Sequence, residues 1–275
     1  MITLEQIYRY PVKGLMGEAL SEITLNADGG IPCDRQWALA HIASPIKGEA
    51  APWATKQHFL NLSTDPKLIQ LQTEFDEASQ NLTILRKGRK LCQGKLNDPM
   101  GRMLLQNFLT SFLGSGSRSN PSIIQAKTPQ DHFYDRQDER LSLINLDSVK
   151  DLEQRLVRAP IDPIRFRGNL YISGMKPWQE LEMTGKMLKI GNVDFKIGAV
   201  IERCAAVNVN PQPGKNLGEC DMNIPLALRR GFGHIACGVF ITPLSKTDDA
   251  KMGDLNPITL RINDPISFYT NPLKS

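Results

Sequence analysis

The chain has 275 residues, 41% of them hydrophobic and 23% charged, which is globular composition and excludes a disordered tail or a low-complexity polymer. Lys plus Arg is 33 against 29 Asp plus Glu, so the net charge of +4 is enough to favour a small anion. It falls short of the dense basic face of a dedicated nucleic-acid binder, and no nucleic-acid partner is expected. No run of 18 apolar residues occurs, so no membrane span is expected.

The opening residues MITLEQIYRYPVKG carry Glu5 early and read as a strand that begins at once rather than as a signal peptide. Along the chain, short alternating or β-branched runs predict strands at Ile2–Tyr8, Ile23–Leu25, Trp37–His41, Leu68–Leu71, Asn81–Leu85 and Ile123–Ala126. Further strands are predicted at Leu170–Ser173, Met187–Ile190, Asp194–Ile201, Val239–Thr242 and Ile258–Ile262, with Gly191-Asn192 as a hairpin turn. Helical periodicity is clear twice. Met103, Leu104, Phe108, Leu109, Phe112 and Leu113 form one stripe that ends at Gly114; Val149, Leu152 and Leu156 form another, with Asp147 as the expected N-cap. The fold class is therefore mainly β with a few helices, and barrel-like. Linker composition over residues 114–122 divides the chain into an N-terminal unit, 1–115, and a second unit, 123–272.

Five cysteines, an odd number widely spread in a long chain, argue against a disulfide framework and for reduced thiols in a cytoplasmic protein. Chemistry concentrates in four places. Tyr10-Pro11-Val12-Lys13-Gly14, with Asp34-Arg35 and Lys56 further on, sets cations beside a glycine turn and suits either an anionic ligand such as phosphate or a solvated turn. If their segment is extended, Arg165 and Arg167 project to one side, a geometry fit for a phosphate or carboxylate; salt-bridged arginines at a domain junction are the alternative. In Glu202-Arg203-Cys204 the arginine favours the thiolate needed by a nucleophile or a soft-metal ligand; an inert core cysteine is the alternative. Finally, Cys204, Cys220, Cys237 and His234 can be drawn as a zinc site, but no Cys-x-x-Cys is present.

These residues carry a resemblance. Tyr10-Pro11-Val12-Lys13 with Asp34-Arg35 resembles the N-terminal β-barrel domain that precedes MOSC domains. Phe166-Arg167-Gly168-Asn169-Leu170, Pro177-Trp178, Arg203-Cys204, Val209-Asn210-Pro211 and Gly233-His234…Cys237-Gly238-Val239-Phe240 resemble the MOSC domain itself, named for the C-terminal region of molybdenum cofactor sulfurase. The resemblance implies a molybdenum cofactor, a pterin whose dithiolene holds the metal, with Cys204 as a protein ligand to molybdenum. Lys13 and Arg35 match positions that contact the pterin and its phosphate, and Arg167 and Asn169 match others near it. Arg165 and Arg203 complete the expected cationic set, so Lys13, Arg35 and Arg167 should converge on one cleft. Asp221 and His234 are candidate proton donors only by their nearness to the family motifs, with structural hydrogen bonding as the favoured alternative for either.

Three positions depart from the pattern of the family's enzymes, which often have Ser at 14, Pro at 168 and Ser at 202, where this chain has Gly14, Gly168 and Glu202. In relatives such as the mitochondrial amidoxime-reducing component the implied activity is two-electron reduction of N-hydroxylated small molecules. No iron–sulfur cysteine spacing occurs, so the electrons would come from a separate donor protein. Pyridoxal phosphate is not expected. The rival readings are a non-enzymatic carrier of the cofactor or its sulfur, and a β-barrel binding module without cofactor.

Overall fold

Strand Ile2–Arg9 pairs with strands drawn from the far half of the chain. In the computed structural model, which describes all residues except 49, 115–119, 139–140, 215, 245–257 and 270–275, a sheet runs Leu170–Ser173, Leu141–Asn145, Ala236–Pro243, Val193–Glu202, Met187–Ile190, Pro265–Tyr269, Ile2–Arg9. Ile2–Arg9 then pairs antiparallel with Leu170–Ser173 and closes the barrel. A register shift between Leu4 and Gln6 lets Leu4 and Ile7, three residues apart, both face the interior at 0% and 1% exposure. Phe195, Ile197, Leu188, Ile190, Val239 and Ile241 fill the same core. The hairpin at Gly191-Asn192 is present, with Ile190 opposite Val193 and Gly191 in the left-handed region.

The N-terminal part builds smaller sheets around a second core that includes Trp37, Leu39, Leu82 and Leu105. One sheet joins Val12–Lys13, Trp37–Ala40 and Ser122–Gln125; another joins Gln72–Asp76, Asn81–Arg86 and Arg89–Lys95. Helix α1 (Pro99–Leu113) starts on Asp98, whose carboxylate accepts the Gly101 N–H at 2.7 Å, and stops at Gly114, whose φ is +76°. Leu105 and Leu109 are its buried stripe. Helices α2 (Leu146–Leu152) and α3 (Ile224–Phe232) contribute Val149, Leu152, Ile224 and Leu228 to a third cluster with Ile144, Phe166 and Tyr171. Mainly strands, with three α-helices among the described residues, is the observed class.

Two local expectations are corrected, and one helix had no expectation to meet. Leu68–Leu71 is not a strand: Pro66 opens a 3-10 helix, Pro66–Gln70, that drives Leu68 and Ile69 into the core, and the strand begins after it at Gln72. The cap of α2 is Asn145, which accepts the Asp147 N–H at 3.1 Å, whereas Asp147 accepts the Gly174 N–H at 2.7 Å. Helix α3, capped by Asn223, was not foreseen. The expected linker falls largely on residues 115–119, outside the described residues. Among the described residues no helix is long and apolar enough to cross a membrane, and the five cysteines form no disulfide.

Candidate functional site

Three chain segments meet where the first strand leaves the barrel, and a single buried carboxylate ties them together. Asp34, fully buried, accepts the Tyr10 N–H at 2.7 Å, Asn169 Nδ2 at 3.0 Å and Arg35 Nη1. Asn169, itself 1% exposed, accepts Ser142 Oγ at 2.8 Å and donates to Tyr8 O at 3.2 Å, so its amide binds structure on both sides. Val12–Lys13 runs parallel to Trp37–Ala40, and the turn after it needs Gly14: φ is +93°, and a Cβ there would lie 2.6 Å from Leu60 O. Arg35 (φ 52°) and Arg167 (φ 50°) both adopt the left-handed region, a conformation that costs a non-glycine residue on the order of 1 kcal/mol or more. That strain aims both guanidiniums at Tyr10, whose ring centroid lies 4.6 Å from one and 4.5 Å from the other. Burial pushes the Tyr10 hydroxyl up to about 12, so the ring stays neutral between them.

One cleft is lined by Lys13, Arg35, Lys56, Arg165, Arg167 and Arg203, by the carboxylates of Asp135 and Glu202, and by Cys204. Lys13 and Arg35 thus share a cavity with Arg167, more than 130 residues away in sequence. The cations are incompletely neutralised. Lys13 Nζ bonds Phe133 O at 2.7 Å and Asp135 at 2.6 Å, and Arg165 pairs with Asp221 at 2.8 Å. Arg167 donates to Leu15 O at 2.8 Å and Arg203 to Phe166 O at 2.9 Å; neither has a carboxylate partner among the described residues. Burial lowers the proton affinity of both guanidiniums, and the closeness of Arg35 adds to this at Arg167. Arg165 Nε is buried and without a hydrogen-bond partner.

Cys204 follows the strand Val193–Glu202, whose pairing with Ala236–Pro243 shifts register twice before its end. Those irregularities turn the strand's exit into the cleft. Cys204 Sγ lies 3.4 Å from Ser63 Oγ. Burial works against the thiolate, but the Ser63 hydroxyl, the Ala206 N–H and the Lys56 ammonium outweigh it and hold the thiol below its ordinary value. Arg203, the neighbour to which sequence assigned this work, attracts Cys204 electrostatically while its Nε donates to Cys237 O at 2.8 Å. A depressed pKa places more thiolate at any pH below the ordinary thiol value. Peptide-resolved alkylation of Cys204 by iodoacetamide should therefore reach half its maximum rate at a lower pH than free cysteine does. Ser63→Ala combined with Lys56→Met should move that midpoint upward, and an unmoved midpoint would remove both groups from the account.

Asp221 and His234 are not among the residues that line the cleft. Asp221 is engaged by Arg165. His234 Nδ1 accepts the Ala236 N–H at 3.2 Å, and its ring stacks 5.9 Å from Phe232 and meets Trp178 at 6.1 Å. Both make structural contacts of the kind that sequence offered as the alternative to proton transfer. The zinc drawing also fails: among the described residues no three His, Cys, Asp or Glu side chains group to hold a metal, and burial pushes the Cys237 thiol up to about 12. Two lining residues gave no sequence signal. Ser63 lies 141 residues from Cys204 and Asp135 lies 122 from Lys13, each in an irregular segment.

Fold and cleft together define a β-barrel protein with a cation-lined cleft that holds an acidified cysteine. Residues 1–113 match the MOSC N-terminal beta barrel domain and residues 129–255 match the MOSC domain; the chain belongs to the MOSC family. It is 25% identical over 274 residues to the molybdenum cofactor sulfurase of Oryza sativa subsp. japonica, covering 87% of this chain and 32% of that protein. It is 26% identical to the protein of the same name from Caenorhabditis elegans, covering 87% and 33%. The chain thus spans about a third of the length of these curated relatives. Among solved structures, the YuaD protein from Bacillus subtilis aligns over 98% of this chain and 97% of its own at 12% identity, with a TM-score of 0.42.

Proposed function

We propose that this protein binds a molybdenum cofactor in the cleft, with the Cys204 thiolate as a metal ligand, and reduces N-hydroxylated small molecules with electrons from a separate donor protein in the cytoplasm. One observation carries the reading: six cations from distant segments, three of them (Lys56, Arg167 and Arg203) without a carboxylate partner among the described residues, line one cleft with an acidified thiol. The donor set fits such a group. A thiolate is a soft ligand suited to a thiophilic metal, and the unpartnered Arg165 Nε is a donor left for an anionic ligand. Lys13, Arg35 and Arg167 would hold the pterin phosphate by charge-assisted bonds of about 1.5–3 kcal/mol each. Asn169 and Asp34 keep Arg35 and the 167–169 turn in place. When bound, the cofactor supplies a metal centre that exchanges two electrons with substrate. In this reading the pocket lies where the 1–115 and 123–272 units meet, although Ile2–Arg9 belongs to the barrel.

Cofactor-loaded protein given a chemical reductant should convert an amidoxime to the amidine. Background turnover with full loading would overturn the reductase. The name shared by the curated relatives favours a second reading, a carrier that passes on the cofactor or its sulfur. In that case loaded protein should instead restore activity to a cofactor-free molybdenum enzyme.

A further inference from the structure

The cleft supplies its own anion. Asp135 Oδ1 lies 2.6 Å from Lys13 Nζ, with the carboxylate side chain 67% exposed and the lysine side chain 9% exposed. That contact is the one hydrogen bond the Asp135 side chain makes among the described residues. The backbone beside it is fixed independently: the Phe133 N–H donates to Arg35 O at 2.8 Å, and Trp53 Nε1 donates to Tyr134 O at 3.0 Å. Rotation of one exposed side chain therefore frees Lys13 without moving the loop. Lys13 holds the Asp135 carboxyl well below the usual carboxylate range, so the competitor is ionised throughout the working pH range.

An incoming monoanion replaces one unit of charge at Lys13 with another and is left facing a displaced carboxylate. It gains nothing from the exchange. A dianion with three acceptor oxygens returns more than it displaces, because it serves Lys13, Arg35 and Arg167 together. We infer that Asp135 is a specificity-determining residue, a built-in competitor that occupies Lys13 until a doubly charged, phosphomonoester-like group displaces it, and that it excludes singly charged anions. The inference rests on the reading of the cleft as an anion site.

The test is calorimetric titration of the full-length, cofactor-free protein at about pH 8, with inorganic phosphate as the dianion and acetate as the monoanion. Asp135→Asn should bind phosphate at least ~10-fold more tightly than wild type, equivalent to about 1.4 kcal/mol, and should gain measurable acetate binding. Asp135→Ala should behave in the same direction. Adding Lys13→Met to either variant should erase the gain. Phosphate affinity that is unchanged or weaker in both Asp135 variants overturns the competitor. If phosphate still binds wild type and is lost on Arg167→Met, the anion cleft survives that failure. Absence of phosphate binding in every variant overturns both.

Discussion

Serine at position 204 should strip the protein of molybdenum. Made in a host that synthesises the cofactor, wild type should carry the metal near stoichiometry, and Cys204→Ser should carry less than about a tenth of that, because a neutral hydroxyl is a poor ligand for a thiophilic metal. The fold should not suffer. The Cys204 side chain meets the Ser63 hydroxyl and the Ala206 N–H, both of which a serine hydroxyl can also engage, and its carbonyl, which accepts the Val207 N–H at 3.3 Å, survives the substitution. Stability should stay within about 0.5 kcal/mol of wild type. Metal analysis with pterin fluorescence reads the result. Undiminished molybdenum in the variant would remove Cys204 from the ligand set, and metal lost on Cys237→Ser instead would transfer the role to a thiol that is now buried and protonated.

Strands were legible where one face is wet. Asn81–Arg86 alternates buried and partly exposed residues, as the sequence reading requires. Leu141–Asn145 has no such signature because it is buried along its whole length, lying between two strands and under the third apolar cluster. Helix α3 was hidden for a different reason: nine residues with Pro225 near the start and Gly231 near the end offer only Ile224 and Leu228 as a buried stripe. At Leu68–Leu71 the apolar run alone predicts a strand, but Pro66 fixes the φ of a helical first turn and the 3-10 helix prevails.

The cleft was legible as far as chain geometry constrains it. Lys13, Arg35 and Arg167 stand at turns beside glycine or a buried polar anchor, and their residue types announce an anion. Adjacency gave only part of the answer at Arg203-Cys204. Both residues line the cleft and attract each other, but Arg203 also binds the Cys237 carbonyl while Cys204 meets Ser63 and Lys56. Those two partners arrive from a distant segment of the N-terminal unit. Only the fold brings them there.

Removing the carboxylate of Asp34 should be the most damaging single change in the site. Its side chain is 0% exposed and that of Arg35 only 14%, and three donors from three segments converge on its two oxygens. Asp34→Ala leaves a guanidinium, an amide and a backbone N–H facing a void, and breaking a buried, hydrogen-bonded ion pair from one side costs about 3–5 kcal/mol. That is a large part of the roughly 5–15 kcal/mol that holds a protein folded. At about 2–4 °C per kcal/mol for a chain of this size, the melting temperature should fall by about 10 °C. Asp34→Asn keeps the acceptor for the Tyr10 N–H but turns an amide donor or a neutral oxygen toward Arg35, so it should fall between wild type and alanine. The cleft should fail with the knot, because the turns carrying Arg35 and Arg167 are both held in the left-handed region by these bonds. Molybdenum retention in Asp34→Asn should therefore drop even at temperatures where circular dichroism shows the fold intact. A melting temperature within about 2 °C of wild type for Asp34→Ala would show that the convergence on Asp34 contributes little, and that the arginines are positioned by the Tyr10 ring and their bonds to Leu15 O, Arg167 O and Asn169.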